Sequence, residues 1–256
     1  MEIVASYCTD VGNRKKVNQD SLCVKSWEEE GHTLMMAVVC DGMGGLQKGE
    51  IASSSLVHAF ARWFDEELPE MMGAGITFGH IRQSWENIIH TMNQQLIEYG
   101  QKEGTKLGTT VTAIFLFDDQ GILVLHVGDC RLYEIEDQVV QLTEDQTFVE
   151  MQVKKGLLTR DQAKKDPRQN IILQCVGDSR AVIPEIRLFP VRQGAGYILC
   201  SDGFRHKITE NEMYQYLSPS RAKTQQEMDK NTRYLVELCK ERNEQDNISV
   251  IVLHTL

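Results

Sequence analysis

Apolar residues along this chain follow two rhythms. Compact apolar runs predict β-strands over 2–8, 21–26 and 33–40. A spacing of three to four then takes over. Ile51, Ala52, Leu56, Ala59, Phe60, Trp63 and Phe64 predict a helix from about Gln47 to Leu68. Ile81, Trp85, Ile88, Ile89, Met92, Leu96 and Tyr99 form the apolar stripe of a second, from about Ile81 to Glu103. Strand-like runs return at 109–117, 122–127 and 131–136, and again near 183–189 and 196–201. Between them, the mixed segment 143–180 reads as helical, polar and less regular. Helices at about 209–217 and 222–242 and a last strand at 247–254 complete the order. Strand runs interleaved with helix pairs predict an α+β fold of stacked layers, not the βαβ rhythm of a doubly wound sheet. Five prolines and no Pro/Gly/Ser-rich linker predict a single domain over 1–256.

The polar residues at the ends of these runs carry the chemistry. Leu34–Cys40 delivers Asp41-Gly42-Met43-Gly44-Gly45, and Tyr197–Ser201 delivers Asp202-Gly203. Asp246-Asn247 opens the run Ile248–Leu253, and Asn18-Gln19-Asp20 precedes Ser21–Val24. One Asp-Gly after a strand is an ordinary turn, because both residues tolerate positive φ. Four strand-end aspartates are a different signal. Carboxylates gathered without cations repel one another, whereas Mg²⁺ and Mn²⁺ favour carboxylate, carbonyl and water oxygens. The Gly42 carbonyl beside Asp41 would give one metal two oxygens. Gly44-Gly45, leading toward a helix, would let backbone approach an ion or phosphate closely. The pattern predicts a metal cluster on a β core.

Composition narrows the class. With 256 residues and 41% hydrophobic content the chain can bury a substantial core. A net charge of −10 speaks against nucleic-acid binding, which needs a basic footprint. No apolar run reaches the length of a membrane span. The start Met1-Glu2-Ile3-Val4 carries neither a basic segment nor a signal-like apolar stretch. A soluble, cytoplasmic protein is expected. Seven cysteines are scattered without a C-x-x-C, and seven histidines are dispersed, so zinc is not expected. Cys40 and Cys200 sit in apolar runs and read as small buried thiols. Val127-Gly128-Asp129-Cys130-Arg131 and Val176-Gly177-Asp178-Ser179-Arg180 share V-G-D-x-R, but their flanks diverge and no repeat is inferred.

Taken in order, several segments match a known family. They are Gly12-Asn13-Arg14-Lys15-Lys16-Val17-Asn18-Gln19-Asp20-Ser21, Val39-Cys40-Asp41-Gly42-Met43-Gly44-Gly45 and Leu107-Gly108-Thr109-Thr110-Val111. His126-Val127-Gly128-Asp129-Cys130-Arg131-Leu132-Tyr133, Leu199-Cys200-Ser201-Asp202-Gly203-Phe204 and Asp246-Asn247-Ile248-Ser249-Val250-Ile251 follow. With them the chain resembles the metal-dependent type-2C (PPM) serine/threonine protein phosphatases, especially the compact bacterial ones. The match spans nearly the whole chain with order and spacing intact.

That resemblance implies a four-layer α-β-β-α sandwich with two central antiparallel sheets flanked by helix pairs. It implies two Mn²⁺ or Mg²⁺ ions. Asp41 would bridge them, the Gly42 carbonyl would bind the first, and Asp202 and Asp246 would complete the second. Asp20 would hold metal-bound water or a ligand position. Asp129, with Asp202, would be the ligand pair of a third ion found in bacterial members, and 143–180 would be a flap beside the site. Two ions close together can lower the pKa of a water between them, and the hydroxide then attacks phosphorus in line. Substrates would be phosphorylated proteins, the products of a Ser/Thr protein kinase, and the absence of a heptad or exposed apolar repeat favours a monomer.

The chain also departs from the family pattern. Lys15 stands where many members place a phosphate-gripping Arg, with Arg14 beside it, and Lys offers a point charge instead of a bidentate fork. Gln19 replaces a frequent acidic residue. Met43 stands where eukaryotic members often have His, a proposed general acid, and His206 is a candidate replacement. Two other readings compete. Cys8-Thr9-Asp10-Val11-Gly12-Asn13-Arg14 fits C-x5-R, the phosphate loop of cysteine-dependent phosphatases, although Asp10 would put a negative charge into its cradle. A catalytically silent regulatory module of the same fold would be expected if ligand aspartates were missing.

Overall fold

The computed structural model describes residues 1–29, 32–43, 48–117 and 120–256. Its strands are β1 (Ile3–Asp10), β2 (Asp20–Glu29), β3 (His32–Asp41), β4 (Val111–Phe117), β5 (Gly121–Val127), β6 (Arg131–Ile135), β7 (Val139–Gln141), β8 (Glu185–Phe189), β9 (Gly196–Cys200) and β10 (Ile248–Thr255). They form two five-stranded sheets, ordered β1-β10-β9-β6-β7 and β2-β3-β4-β5-β8. Every pairing within them is antiparallel. The helices are α1 (Gly49–Arg62), α2 (Leu68–Gly73), α3 (Phe78–Glu103), α4 (Phe148–Lys154), α5 (Arg160–Ala163), α6 (Asp202–Arg205), α7 (Glu210–Leu217) and α8 (Gln225–Glu241).

β3 shows how the layers form. Side chains alternate across a strand, and both faces of this one are buried. Leu34, Met36, Val38 and Cys40 join Leu56, Phe60 and Trp85 in the core beneath α1 and α3. Met35, Ala37 and Val39 instead meet Leu132, Tyr197, Leu199 and Ile251 of the opposite sheet. A third core packs β9 and β10 against α7 and α8 through Ile198, Val250, Met213 and Leu235. Helices, sheet, sheet and helices make the four-layer α+β sandwich that the resemblance implies. Trp63, just past the end of α1, locks onto Trp85 of α3 and Phe115 of β4, which also meet each other, through edge-to-face contacts of 5.7–6.3 Å.

Helix boundaries follow local chemistry. Thr77 accepts from the His80 N–H at the start of α3, and Gly104, at φ 63°, ends it. Thr209 with Glu212 and Thr224 with Glu227 form capping boxes on α7 and α8. The first helix differs from expectation at its far end. It runs through a π-helical turn, Trp63–Glu67, and continues past Leu68 to Gly73. β7 and α6 were not predicted: the former is three residues long, and the latter begins at an Asp-Gly that reads as a turn. Residues 143–180 contain two short helices, α4 and α5, with turns around them. No helix among the described residues is long and apolar enough to cross a membrane.

Candidate functional site

Antiparallel pairing brings the strand-end aspartates to one end of the sandwich. Asp20 opens β2, Asp41 closes β3, and the two are direct partners across the ladder. Asp202 follows β9 as the first residue of α6, while Asp246 lies just ahead of β10, the antiparallel neighbour of β9. Asp129 occupies the turn between β5 and β6. A serine pair joins the two sheets here. The Ser201 hydroxyl donates to Asp20 Oδ2 at 2.9 Å. The Ser249 N–H donates to Ser201 Oγ at 3.0 Å, and the Ser201 N–H to the Ser249 carbonyl at 3.0 Å.

These carboxylates share one electrostatic field. Burial pushes Asp20 up to about 7, against hydrogen bonds from Ser249 and Ser201 and with the charges of Asp202 and Asp246. Burial, then the charges of Asp20, Asp202, Asp129 and Asp246, hold Asp41 well above the usual carboxylate range. Burial also raises Asp129 to about 6, with Arg205 opposing and Asp202 adding. Asp202 Oδ1 is buried with no hydrogen-bond partner. A buried carboxylate oxygen without a donor is costly unless a cation answers it.

The donor set suits hard cations. Among the described residues no three Asp, Glu, His or Cys side chains converge into a closed cage. Mg²⁺-type sites take one or two carboxylates and fill the remaining positions with carbonyls and water, so an open arrangement of this kind is compatible with them. Gly42 is held beside Asp41 by donation from its N–H to the Gln19 carbonyl at 3.0 Å. A Cβ at Gly42 would collide with the carbonyl oxygens of Gln19 and Gly49. The Asp41 N–H donates to Thr110 Oγ1 at 3.1 Å, and its carbonyl accepts from the Thr109 hydroxyl at 2.9 Å. Gly44-Gly45 lie outside the described residues.

The basic residues of the 11–19 loop part company. Lys15 Nζ is 2.8 Å from Asp246 Oδ1. Burial works against its charge, but Asp246, Asp41 and Asp202 together raise its pKa. Arg14 is exposed and has no partner among the described residues. Asn247, 2% exposed, pins this loop. Its amide donates to the carbonyls of Val11 at 2.9 Å and Val17 at 3.2 Å, while its oxygen accepts from the Gln19 N–H at 2.9 Å. Asn247, Ser201 and Ser249 were missed as site residues. Their signal in the sequence is polarity within or beside apolar strands.

Asp129 is engaged elsewhere: its Oδ2 is 2.9 Å from Arg205 Nη2. His206 stands between acids, with Nε2 3.9 Å from Asp202 Oδ2 and Nδ1 3.9 Å from Glu244 Oε2. A cavity of about 370 Å³ separates the 143–180 segment from α6, lined by Glu150, Arg160, Lys164 and Gln169 on one side and Arg205 and His206 on the other. A larger one, about 990 Å³, is lined by Met151, Leu173 and Ile183 among others and by none of Asp20, Asp41, Asp129, Asp202 and Asp246. The C-x5-R loop is not an anion cradle. Asp10 Oδ1 accepts the Gly12 N–H at 2.8 Å, and burial with Asp10 raises the Cys8 thiol.

Comparison with known proteins agrees with this geometry. The family model described as protein phosphatase 2C matches residues 12–240. The protein phosphatase PhpP of Streptococcus pneumoniae is 32% identical over 217 residues, covering 83% of this chain and 82% of its own. The solved serine/threonine phosphatase of S. agalactiae has a TM-score of 0.84 at 28% identity, covering 100% of both chains. The catalytic domain of the serine threonine protein phosphatase PstP, solved in complex with two manganese ions, has a TM-score of 0.75 at 25% identity. It covers 98% of this chain and 97% of its own.

Proposed function

The chain belongs to the protein phosphatase 2C family, and we propose on that premise that it hydrolyses phosphoserine and phosphothreonine in proteins with Mn²⁺ or Mg²⁺. The observation that carries this reading is the gathering of Asp20, Asp41, Asp202 and Asp246 at one end of the sandwich, where the charges of Asp202 and Asp246 add to the cost of ionising both Asp20 and Asp41. The unpartnered Asp202 Oδ1 supports a cation there. Asp41, the Gly42 carbonyl, Asp202 and Asp246 would hold two ions. When bound, such ions supply an activated water at neutral pH and offset charge on the phosphoryl oxygens.

The chain's own groups set up that chemistry. Hydroxyls of Ser201 and Ser249 fix the Asp20 carboxylate, which then orients water at the site. Lys15 places an ammonium at the edge of the carboxylates, where it attracts a dianionic phosphate. Asn247 holds the loop that carries Lys15. The whole chain works as one catalytic domain. Residues 143–180 act as a flap that selects substrate, because the cleft beneath it opens toward Arg205 and His206.

The substrates are phosphoproteins made by a Ser/Thr protein kinase, and the protein acts in the cytoplasm as a monomer. Retention of every ligand aspartate weighs against a silent regulatory module. Hydrolysis of a phosphothreonine peptide tests the reading. Turnover that stops with EDTA and returns with Mn²⁺ is expected, whereas turnover indifferent to chelation contradicts it.

A further inference from the structure

Arg205 changes what Asp129 can do. α6 carries Asp202 at its first position and Arg205 at its last. The short turn that offers a carboxylate to the core site therefore also sends a guanidinium to Asp129. Arg205 Nη2 donates to Asp129 Oδ2 at 2.9 Å, and Nε donates to the Asp129 backbone carbonyl at 3.3 Å. The two side chains are nearly closed to solvent, at 11% and 6% exposure.

A second pair backs the first. Arg131 grips Asp145 through Nε–Oδ1 at 2.8 Å and Nη2–Oδ2 at 2.7 Å. Its Nη1 donates to the Tyr133 hydroxyl at 2.9 Å. Arg205 Nη2 lies 3.9 Å from Asp145 Oδ2. Two arginines thus serve two aspartates in one buried network at the base of the 143–180 segment.

A hard divalent cation at Asp129 needs free oxygen ligands. Here Oδ2 and the backbone carbonyl both face the guanidinium, leaving Oδ1 alone. An ion on Oδ1 would stand beside a fixed positive charge in a poorly hydrated site, where repulsion is strong. Moving Arg205 aside would break a buried pair and give up both of its contacts to Asp129, leaving only Asp145, already gripped by Arg131, to answer its charge. The third ion that the family resemblance implies does not fit these residues.

We infer that Arg205 occupies the third-cation position, so that the chain supplies this positive charge itself and binds two divalent ions. The inference rests on the phosphatase reading of the core site. It is tested by counting Mn²⁺ bound per chain in equilibrium dialysis, with thermal melts to confirm folding. Wild type is expected to bind two, and Arg205→Lys also two. Arg205→Met is expected to bind three, with the extra ion lost when Asp129→Asn is added. Three ions on wild type, one of them lost in Asp129→Asn alone, would overturn the inference. So would a folded Arg205→Met protein that still binds two. A wild type that binds none, unchanged by Asp41→Asn, would remove the core-site reading itself and this inference with it.

Discussion

Asp20 and Asp41 face each other directly across the β2–β3 ladder. Cross-strand partners in an antiparallel pair have Cβ atoms about 5 Å apart, and like charges placed so are destabilising. The metal-free fold therefore carries a repulsion that a cation bound there would relieve. Asp41→Asn should raise the stability of the protein in EDTA by about 1 kcal/mol, read as a higher urea midpoint. With Mn²⁺ present the order should reverse, because wild type gains binding energy that the variant forgoes. A variant less stable in EDTA would contradict this.

Lys15, not Arg14, is the residue turned toward the carboxylates. Lys15→Ala should raise KM for a phosphopeptide roughly tenfold or more, the worth of one charge-assisted contact. Arg14→Ala should change KM less than about twofold, as expected for an exposed charge. Steady-state kinetics on the two variants separate them, and the opposite ranking would move the phosphate contact to Arg14.

Asn247 serves three backbone groups of the 11–19 loop from one buried amide. Asn247→Ala leaves those groups without their partner, at about 1–3 kcal/mol for each that water cannot reach. A loss of about 2 kcal/mol or more in stability is expected by urea unfolding, together with a raised KM from the loosened Lys15 loop. A variant with wild-type stability would show that the loop holds itself.

His126 ties stability to pH. Its Nε2–H donates to the Glu144 carbonyl at 3.0 Å, and Nδ1 faces the Thr112 hydroxyl at 2.9 Å. Burial pushes its pKa down to about 4. The unfolded chain takes up this proton near pH 6.5 and the folded chain only near 4. The contribution is therefore intact above about 6.5 and is lost as pH falls toward 4. Asp20 acts in the opposite sense: pushed up to about 7, it adds stability to the metal-free protein as pH falls below that value. Comparing wild type with His126→Gln isolates the histidine. The lead of wild type should narrow by about 2–3 kcal/mol between pH 7 and 4.5, and a constant gap would contradict this.

Much of this was legible in the sequence because the strands are buried on both faces and end at abrupt polar residues. The run Leu34–Cys40 announced β3, and Asp41 marked its end. β7 was missed because three residues carry no usable period. α6 was missed because Asp202-Gly203 reads locally as a turn. Asp20, Asp41, Asp202 and Asp246 could be grouped from motif order alone. The Arg205–Asp129 pair could not, since its partners lie 76 positions apart and meet only after both sheets form. The Asn247 clamp likewise joins residues more than 200 positions apart.

The most direct measurement compares hydrolysis of a phosphothreonine peptide by wild type, Asp41→Asn and Cys8→Ser, each with Mn²⁺ and with EDTA. Mn²⁺-dependent turnover that persists in Cys8→Ser and vanishes in Asp41→Asn is the predicted result. Turnover that ignores EDTA and is lost in Cys8→Ser would place the chemistry at the thiol and contradict a metal-centred site.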